Sequence, residues 1–586
     1  MTRYRQFLVA VALISSLTAC GGPEPAKTSE KAAAGADVGY FFNLKLVAGD
    51  GTPAQDDIVF VTENGKIKAM GKKGEVKPPQ GAARADLNGE VIMPVFVNLN
   101  AHPGLVNGPT FGPANYNHDS VVNDLKRYLY YGVGAVLDPG TDKDDIAYKV
   151  RDEVKSGSVK AAQLFTAGQR IVPKGSAGEL KGMVTEVGTS ADARGAVDEM
   201  ADKKVNFIAI GVDEGTGAAT MKPDIYKAII DEAHKKNLKV VADAFALADA
   251  KDLVNAGVDG LIQSVRDREV DADFVNAMKS KNVFLTPALT AIQAKFVYAD
   301  NPKWLGEQSM REAYPGELGA FLANDVFIGK MKRDPNTAKY REQFTVAQKN
   351  LKKLAAAGVK IGLGTASGSL NTFPGYFEHR ELELMVEAGM PIEDVYKDAT
   401  SVSADLLGMT DGGTLAVGKR ADFNVFSSNP FDKITNSKEI DTMYIGGQNI
   451  ERLPLIQGIP INVPKVTEKE KQQEKEAEHQ DAINQAEAKL PHYGKFPLDG
   501  KSENVAGLAV PMPLHSTHSK SGNTINVSMK GASASDFKGF FTPALEKYSW
   551  QAAGNCWEKP STITKKTQVL CLQASEGSAT LTVTQK

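Results

Sequence analysis

Cysteine is scarce in this chain, three in 586 residues, at positions 20, 556 and 571. That excludes a scaffold held together mainly by disulfides. Histidine is scarce too, with eight in all. Between residues 91 and 409 it occurs only as His102, His118, His234 and His379. Positive charge is not in excess: the net charge is -3. The electrostatic footprint of a nucleic-acid binder is therefore missing. No phosphate-binding loop, dinucleotide fingerprint or Ser-His-Asp order is visible. Phe7–Leu17 is a mainly apolar run, too short to cross a bilayer as a mature helix.

What is present suits a soluble globular body, with 42% hydrophobic and 24% charged residues. The length suggests two or three domains. Residues 1–20 read as a targeting segment, with Arg3 and Arg5 ahead of the apolar run. Leu17-Thr18-Ala19-Cys20 resembles a bacterial lipobox, which makes Cys20 the expected lipidation site; a plain secretory signal is the alternative. Several acyl chains on Cys20 would anchor the protein stably. Gly21 follows, not the aspartate that resembles an inner-membrane retention signal, so the expected location is the bacterial outer membrane. In such an oxidising compartment Cys556 and Cys571 are expected to pair, and a loop of that size contributes about 3 kcal/mol. Two buried free thiols are the other possibility.

Residues 21–37 are small, polar and Ala-rich, and read as a tether. Residues 38–90 carry short β patterns, with Asn64-Gly65 as a type I′ hairpin turn. From Val91 strands and helices alternate. Expected strands are Val91–Asn98, Ala135–Pro139, Gln163–Ala167, Phe207–Val212, Lys239–Ala244, Gly260–Val265, Val283–Leu289 and Lys360–Thr365. Helical patterns such as Asp224–Lys236 and Thr345–Ala357 lie between them, and residues 290–359 read as a helical insertion or a lid. Eight such units predict a (β/α)8 barrel over residues 91–409, with its site at the C-terminal strand ends. Residues 410–453 return to β pattern and are expected to join residues 38–90 in one small β-sandwich. Residues 454–490 form a linker and charged helix, with Thr467 and Glu470 spaced as a capping box. Residues 491–586 read as a separate β-rich domain.

Three segments carry a family resemblance: HRELELMVEAGM (379–390), ATSVSADLLGM (399–409) and GTLAVGKRADFNVFSSNP (413–430). With the strand pattern, Val38–Arg452 resembles the metal-dependent amidohydrolases of the imidazolonepropionase and dipeptidase-like branch. The resemblance implies an α/β barrel and one or two divalent metals that activate water. It also implies where the ligands should stand. Where that family has Pro-Gly-x-x-Asp-x-His-x-His, this chain reads VIMPVFVNLNAH, with Val95 for the glycine. Asn100 and His102 fall at the two histidine positions. The family lysine of strand four corresponds to Ala209, in NFIAIG. Its histidines of strands five and six correspond to Asp243 and Gln263. The aspartate of strand eight corresponds to Ala366, in GLGTAS.

Alanine offers no lone pair, and amide oxygens are weak ligands, so the usual zinc set cannot be filled from these positions. No metal is expected; weakly bound zinc or another divalent cation is the alternative. Asn98, Asn100, His102, Asp243 and Gln263 are expected to cluster at the barrel mouth as a polar ligand pocket, with His379 either beside them or packing elsewhere. Asp138 is expected to anchor a loop, His118 to lie in a loop and His234 on a helix surface. The loop Gly175–Glu179, with Arg170 and Lys174, reads as solvated and basic, or as anion-binding. Ser367 and Ser369 are nucleophiles in principle only, with no paired base in view. The resulting expectation is a lipid-anchored, noncatalytic relative of amidohydrolases that binds a small ligand or an envelope protein. A carbon–nitrogen hydrolase with an atypical site and a structural scaffold are the alternatives.

Overall fold

The computed structural model describes residues 37–213, 220–488, 492–493, 496–505, 508–554, 556–560 and 566–586. The targeting segment, Cys20 and the tether to residue 36 lie outside the described residues. No helix among the described residues is long and apolar enough to cross a membrane. The chain divides into two units, Met1–Lys465 and Val466–Lys586.

In the first unit, the β segments before and after the central region pair directly. Val38–Leu46, Gln55–Glu63, Lys66–Lys72, Ala83–Asp86 and Val91–Pro94 join Phe423–Phe426, Ile440–Ile445 and Gln448–Ile450 in one eight-stranded sheet. The seam is an antiparallel pairing of Val91–Pro94 with Phe423–Phe426. Its aromatic core stacks Phe41 on Phe60 and Phe423 on Tyr444, at 4.8 Å between ring centroids in each pair. Asn64 and Gly65 take φ of 52° and 77°, as the two centres of a type I′ turn require.

The expected first strand is therefore two strands. Val91–Pro94 belongs to the small sheet, and after Val95 the segment Phe96–Asn98 pairs with Val133–Asp138 in a parallel sheet. Proline has no N–H for a continuous ladder, which suits a change of partner there. Val133–Asp138 pairs in turn with Gln163–Thr166. A second parallel sheet runs Thr185–Val187, Ile171–Pro173, Phe207–Asp213, Lys239–Ala244, Gly260–Leu261, Phe284–Leu285. The Asn206 N–H donates to Thr166 O at 2.8 Å, between the two sheets. Ile361 bridges Leu285, and Leu99 N–H donates to Leu363 O at 2.8 Å.

The last three expected strands are shorter than the apolar runs that suggested them. Gly260–Leu261 and Phe284–Leu285 have two residues each, and residues 360–365 hold only the bridge at Ile361. Their backbone groups go to other partners. Ser264 N–H donates to Pro287 O, Ala288 N–H to Gly364 O, and Leu363 N–H to the Ser403 hydroxyl. Gly364 approaches so closely that a Cβ there would stand 2.4 Å from Thr286. The helices Pro223–Lys235 and Thr337–Ala356 lie where periodicity placed them, and several short helices fill residues 289–333. His118 corrects the loop expectation: it opens the helix His118–Tyr130, because Asn117 caps Ser120 N–H and Ser120 caps back.

The second unit begins with the charged helix Glu468–Ala488, whose capping box forms as Thr467 accepts from Glu470 N–H at 3.2 Å. A six-stranded antiparallel sheet follows, running from Thr517–Ser521 through Thr524–Ser528, Ser578–Gln585, Thr567–Ser575 and Cys556–Pro560 to Gln551–Ala553. The helix Ala534–Lys547 packs on it through Phe537, Phe540 and Phe541. Sequence reading missed this helix; the Ser533–Asp536 capping box announces it, but Pro543 sits inside it. Cys556 and Cys571 are cross-strand neighbours and form the expected disulfide. Replacing both with serine should cost this unit about 3 kcal/mol. Denaturant unfolding followed by the fluorescence of Trp550 and Trp557 should show the loss, with the transition of the first unit unmoved.

Candidate functional site

Two groups of buried and half-buried polar side chains stand at the ends of the parallel strands. The first centres on Glu378, near the start of the helix Tyr376–Glu387 and fully buried. Its Oε1 accepts from Asn98 Nδ2 at 2.7 Å, Thr365 Oγ1 at 2.8 Å and Ser367 Oγ at 2.5 Å. Its Oε2 accepts from Gly375 N–H at 2.7 Å. Since the Ser367 hydroxyl donates to Glu378, it accepts from Tyr128 OH at 2.7 Å. Burial pushes the Glu378 pKa up against these donors. Asn98 Oδ1 accepts from Asn100 N–H at 2.9 Å, so this group sets the backbone that leads to the second.

The second group contains Asn100, His102, Asp138, Arg170, Asp243 and Gln263. Asn100 Nδ2 donates to Ile262 O at 2.7 Å. Asp243, on Lys239–Ala244, accepts at Oδ2 from Gln263 Nε2 at 3.0 Å and from Arg170 Nη1 at 3.4 Å. Arg170, expected on a solvated loop, is buried and forms an ion pair with Asp243. His102 is held by its backbone, whose N–H donates to Ser367 O at 2.7 Å. Its Nδ1 lies 3.8 Å from Asp138 Oδ1, beyond hydrogen-bond reach. Asp138 anchors its loop as expected, accepting from Gly140 N–H at 3.0 Å. Asn100 Oδ1, His102 Nδ1 and Asp138 Oδ2 are buried and have no hydrogen-bond partner among the described residues.

The electrostatics are unusual for groups so close together. Burial, and then Arg170, lower the His102 pKa to about 3, so its imidazole is neutral at ordinary pH. Burial, and then Asp142 against the hydrogen bond from Gly140, raise the Asp138 pKa to about 7. Ala209 is buried with Leu99, Leu137, Val241 and Ile262 in an apolar cluster. Ala366 holds φ of 52°, a left-handed conformation unfavourable for a residue with a Cβ. Its N–H donates to Asn100 O at 2.8 Å.

This donor set does not fit a divalent metal. Ala209 and Ala366 bring no donor atom, and the amides of Asn100 and Gln263 spend their N–H groups on Ile262 O and Asp243. Arg170 places a positive charge against Asp243, the one carboxylate at these positions. Among the described residues no group of three or more His, Cys, Asp or Glu side chains could hold a metal ion.

The structure thus brings together Asn98, Asn100, His102, Asp243 and Gln263. His379 is not with them. It is fully buried, its Nε2 donating to Tyr131 O at 2.9 Å and its Nδ1 accepting from Ser437 at 2.9 Å. Burial lowers its pKa to about 3, and it packs against Phe96. His234 is exposed and bonded to Asp259. Sequence reading missed Arg170 as an ion-pair partner and Glu378 as a hub. Glu378 lies in the charged run Glu378-His379-Arg380-Glu381, so nothing in the local sequence singles it out.

Residues 113–450 match the amidohydrolase family. The chain belongs to that family. A 5-methylthioadenosine/S-adenosylhomocysteine deaminase of Bacillus cereus (strain B4264) is 28% identical over 152 residues, 22% of this chain and 34% of the relative. Its counterpart in Bacillus thuringiensis (strain Al Hakam) is 29% identical over 121 residues, 17% of this chain and 28% of the relative. The chain thus spans about a third of the length of the curated relatives it matches. A solved Xaa-Pro dipeptidase with methionine bound in its active site is similar at a TM-score of 0.58 and 20% identity, covering 71% of this chain and 100% of that one. A molinate hydrolase is similar at 0.58 and 18%, covering 74% and 99%. At this identity the likeness shows the fold.

Two outcomes follow for the second group. Between the folded His102 pKa of about 3 and its ordinary value of 6.5, the unfolded chain binds a proton that the folded chain refuses. The His102 contribution to stability therefore falls as pH drops through that window, whereas Asp138, with its pKa raised to about 7, contributes in the opposite sense. His102→Gln should therefore make the melting temperature of the variant fall less, or rise more, on acidification than that of the parent chain. Arg170→Met should raise the His102 pKa, read by NMR titration, and destabilise the fold by about 3 kcal/mol because a buried ion pair loses one member.

Proposed function

We propose that the chain is an envelope lipoprotein built on an amidohydrolase barrel whose metal site has been lost, and that it binds a small ligand or partner without hydrolysing it. The eight parallel segments from Phe96 to residue 365 close in this reading as a (β/α)8 barrel. The observation that carries the proposal is the Arg170–Asp243 ion pair. A guanidinium there supplies the positive charge that a metal ion would otherwise bring to the strand-five position. The alanines at 209 and 366 support the same reading, since neither can ligate a cation or move a proton. Asn100 Oδ1 and Asp138 Oδ2 remain as buried acceptors for a ligand's donors. Lipidation at Cys20, residence in the bacterial outer membrane and a ligand or envelope partner belong to this proposal.

A second reading is hydrolysis of a carbon–nitrogen bond at an atypical site. The family match favours it, as do neighbours named as a deaminase and a dipeptidase. One experiment separates the two. A soluble chain starting after Cys20 is purified without chelator and incubated with zinc, manganese or calcium. Metal is then counted per chain, and turnover of dipeptides, lactams and methylthioadenosine is assayed. The binding reading expects well under one metal per chain and no turnover. One or more tightly held metals together with turnover would replace it by the hydrolase.

A further inference from the structure

We infer that a second site, on the wall of the first unit, binds a phosphate monoester with a compact apolar body. A cavity of about 510 Å³ lies between the end of the helix Ile146–Lys155 and the strand Gln163–Thr166. None of the residues in the two polar groups lines it. Arg151, Lys155 and Lys204 bring its positive charge, and Asp152 is its one acid. Arg151 is held in place. Its Nε donates to Asp152 Oδ1 at 2.9 Å and its Nη1 to Lys204 O at 2.8 Å. Its guanidinium carbon lies 5.5 Å from the centre of the Tyr148 ring. The side chain is 17% exposed, and Nη2 has no acceptor among the described residues. Nη2 is not enclosed, so an incoming oxygen can reach it. Lys155 and Lys204 are exposed, and neither ammonium has a partner among the described residues.

The three cations converge on that acid. The hydrogen bond from Arg151, with the charges of Arg151, Lys155 and Lys204, holds the Asp152 carboxyl below its ordinary pKa. One carboxylate against three cations leaves a surplus of two positive charges. A phosphate monoester carries about two negative charges at neutral pH and matches it, whereas a carboxylate matches half. The helix end here is negative in its own dipole and by itself repels an anion. Its carbonyls are occupied: Ser156 N–H takes Asp152 O at 2.9 Å, and Gly157 N–H takes Val154 O at 3.0 Å. Asn206, on the same wall, accepts at Oδ1 from Thr166 N–H at 3.0 Å, which leaves its Nδ2 as a further donor. Val154, Leu164 and Phe165 form the apolar part of the wall. Val154 and Phe165 are only half-buried, so a ligand's body can cover them. The volume lies within the roughly 300–1,000 Å³ of small-molecule pockets, which suits an ester with a body better than a bare anion.

The test is calorimetric titration of the full folded chain with phenyl phosphate, with inorganic phosphate, benzoate and phenol as comparators. Phenyl phosphate should bind saturably, and at least about tenfold more tightly than each comparator. Lys155→Glu and Lys204→Glu change exposed side chains and leave the core intact. Each should weaken phenyl phosphate binding at least about tenfold. Lys227→Glu alters an exposed lysine outside the cavity and should leave binding unchanged. The inference is overturned if phenyl phosphate does not bind, if any comparator binds as tightly, if binding survives both Lys155→Glu and Lys204→Glu, or if Lys227→Glu weakens it as much as they do.

Discussion

The buried carboxylate of Glu378 gathers Asn98, Thr365, Ser367 and Gly375, residues drawn from the start and the end of the central region. Everything at the strand ends follows from that knot. Asn98 passes the constraint to Asn100 N–H, and Ser367 O holds His102 N–H. A buried carboxylate costs several kcal/mol unless its lone pairs are filled. Four donors fill them here, one from Asn98, two from the segment of Thr365 and Ser367, and one from the Gly375 cap of the helix that carries Glu378. A side chain that requires so many partners at once admits few arrangements of them.

Beside that knot lies a group whose bonds are incomplete. Asn100, His102 and Asp138 each keep a buried atom without a partner, within the same small region as the Arg170–Asp243 pair. Proteins pair most of their buried polar atoms, so these exceptions set the group apart from the fully bonded knot beside it. The left-handed Ala366 points the same way, since strain of that kind collects at functional sites. The Glu378 knot is fully bonded, whereas the neighbouring group is not.

Membership of the amidohydrolase family and the identity of the residues at the strand ends pull in different directions. The family match covers residues 113–450. Yet the positions that the sequence resemblance assigns to the family's metal ligands hold two alanines and an amide whose N–H is committed to a backbone carbonyl. Fold is retained by packing, which tolerates such changes, whereas metal chemistry depends on a handful of donor atoms and does not.

Much of this was legible from local pattern. The Asn64-Gly65 hairpin, the helix behind Thr467 and Glu470, the parallel strands with six or seven residues and the Cys556–Cys571 pair all follow from signals within short windows. The bonds of Asn98 with Asn100 and of Gln263 with Asp243 join residues that the sequence already placed at strand ends. What the sequence could not decide depends on contacts between distant residues. Val91–Pro94 looks like any buried strand, and only its pairing with Phe423–Phe426 assigns it to the small sheet. His379 sits in a family-like motif, but the carbonyl of Tyr131 and the hydroxyl of Ser437 place it in the core. Arg170 and Asp243 are 73 residues apart, and no periodicity relates them. Sequence sets which side chains each strand end presents, because strand direction and alternation are local; which of them meet, and with what charge, is settled by tertiary packing alone.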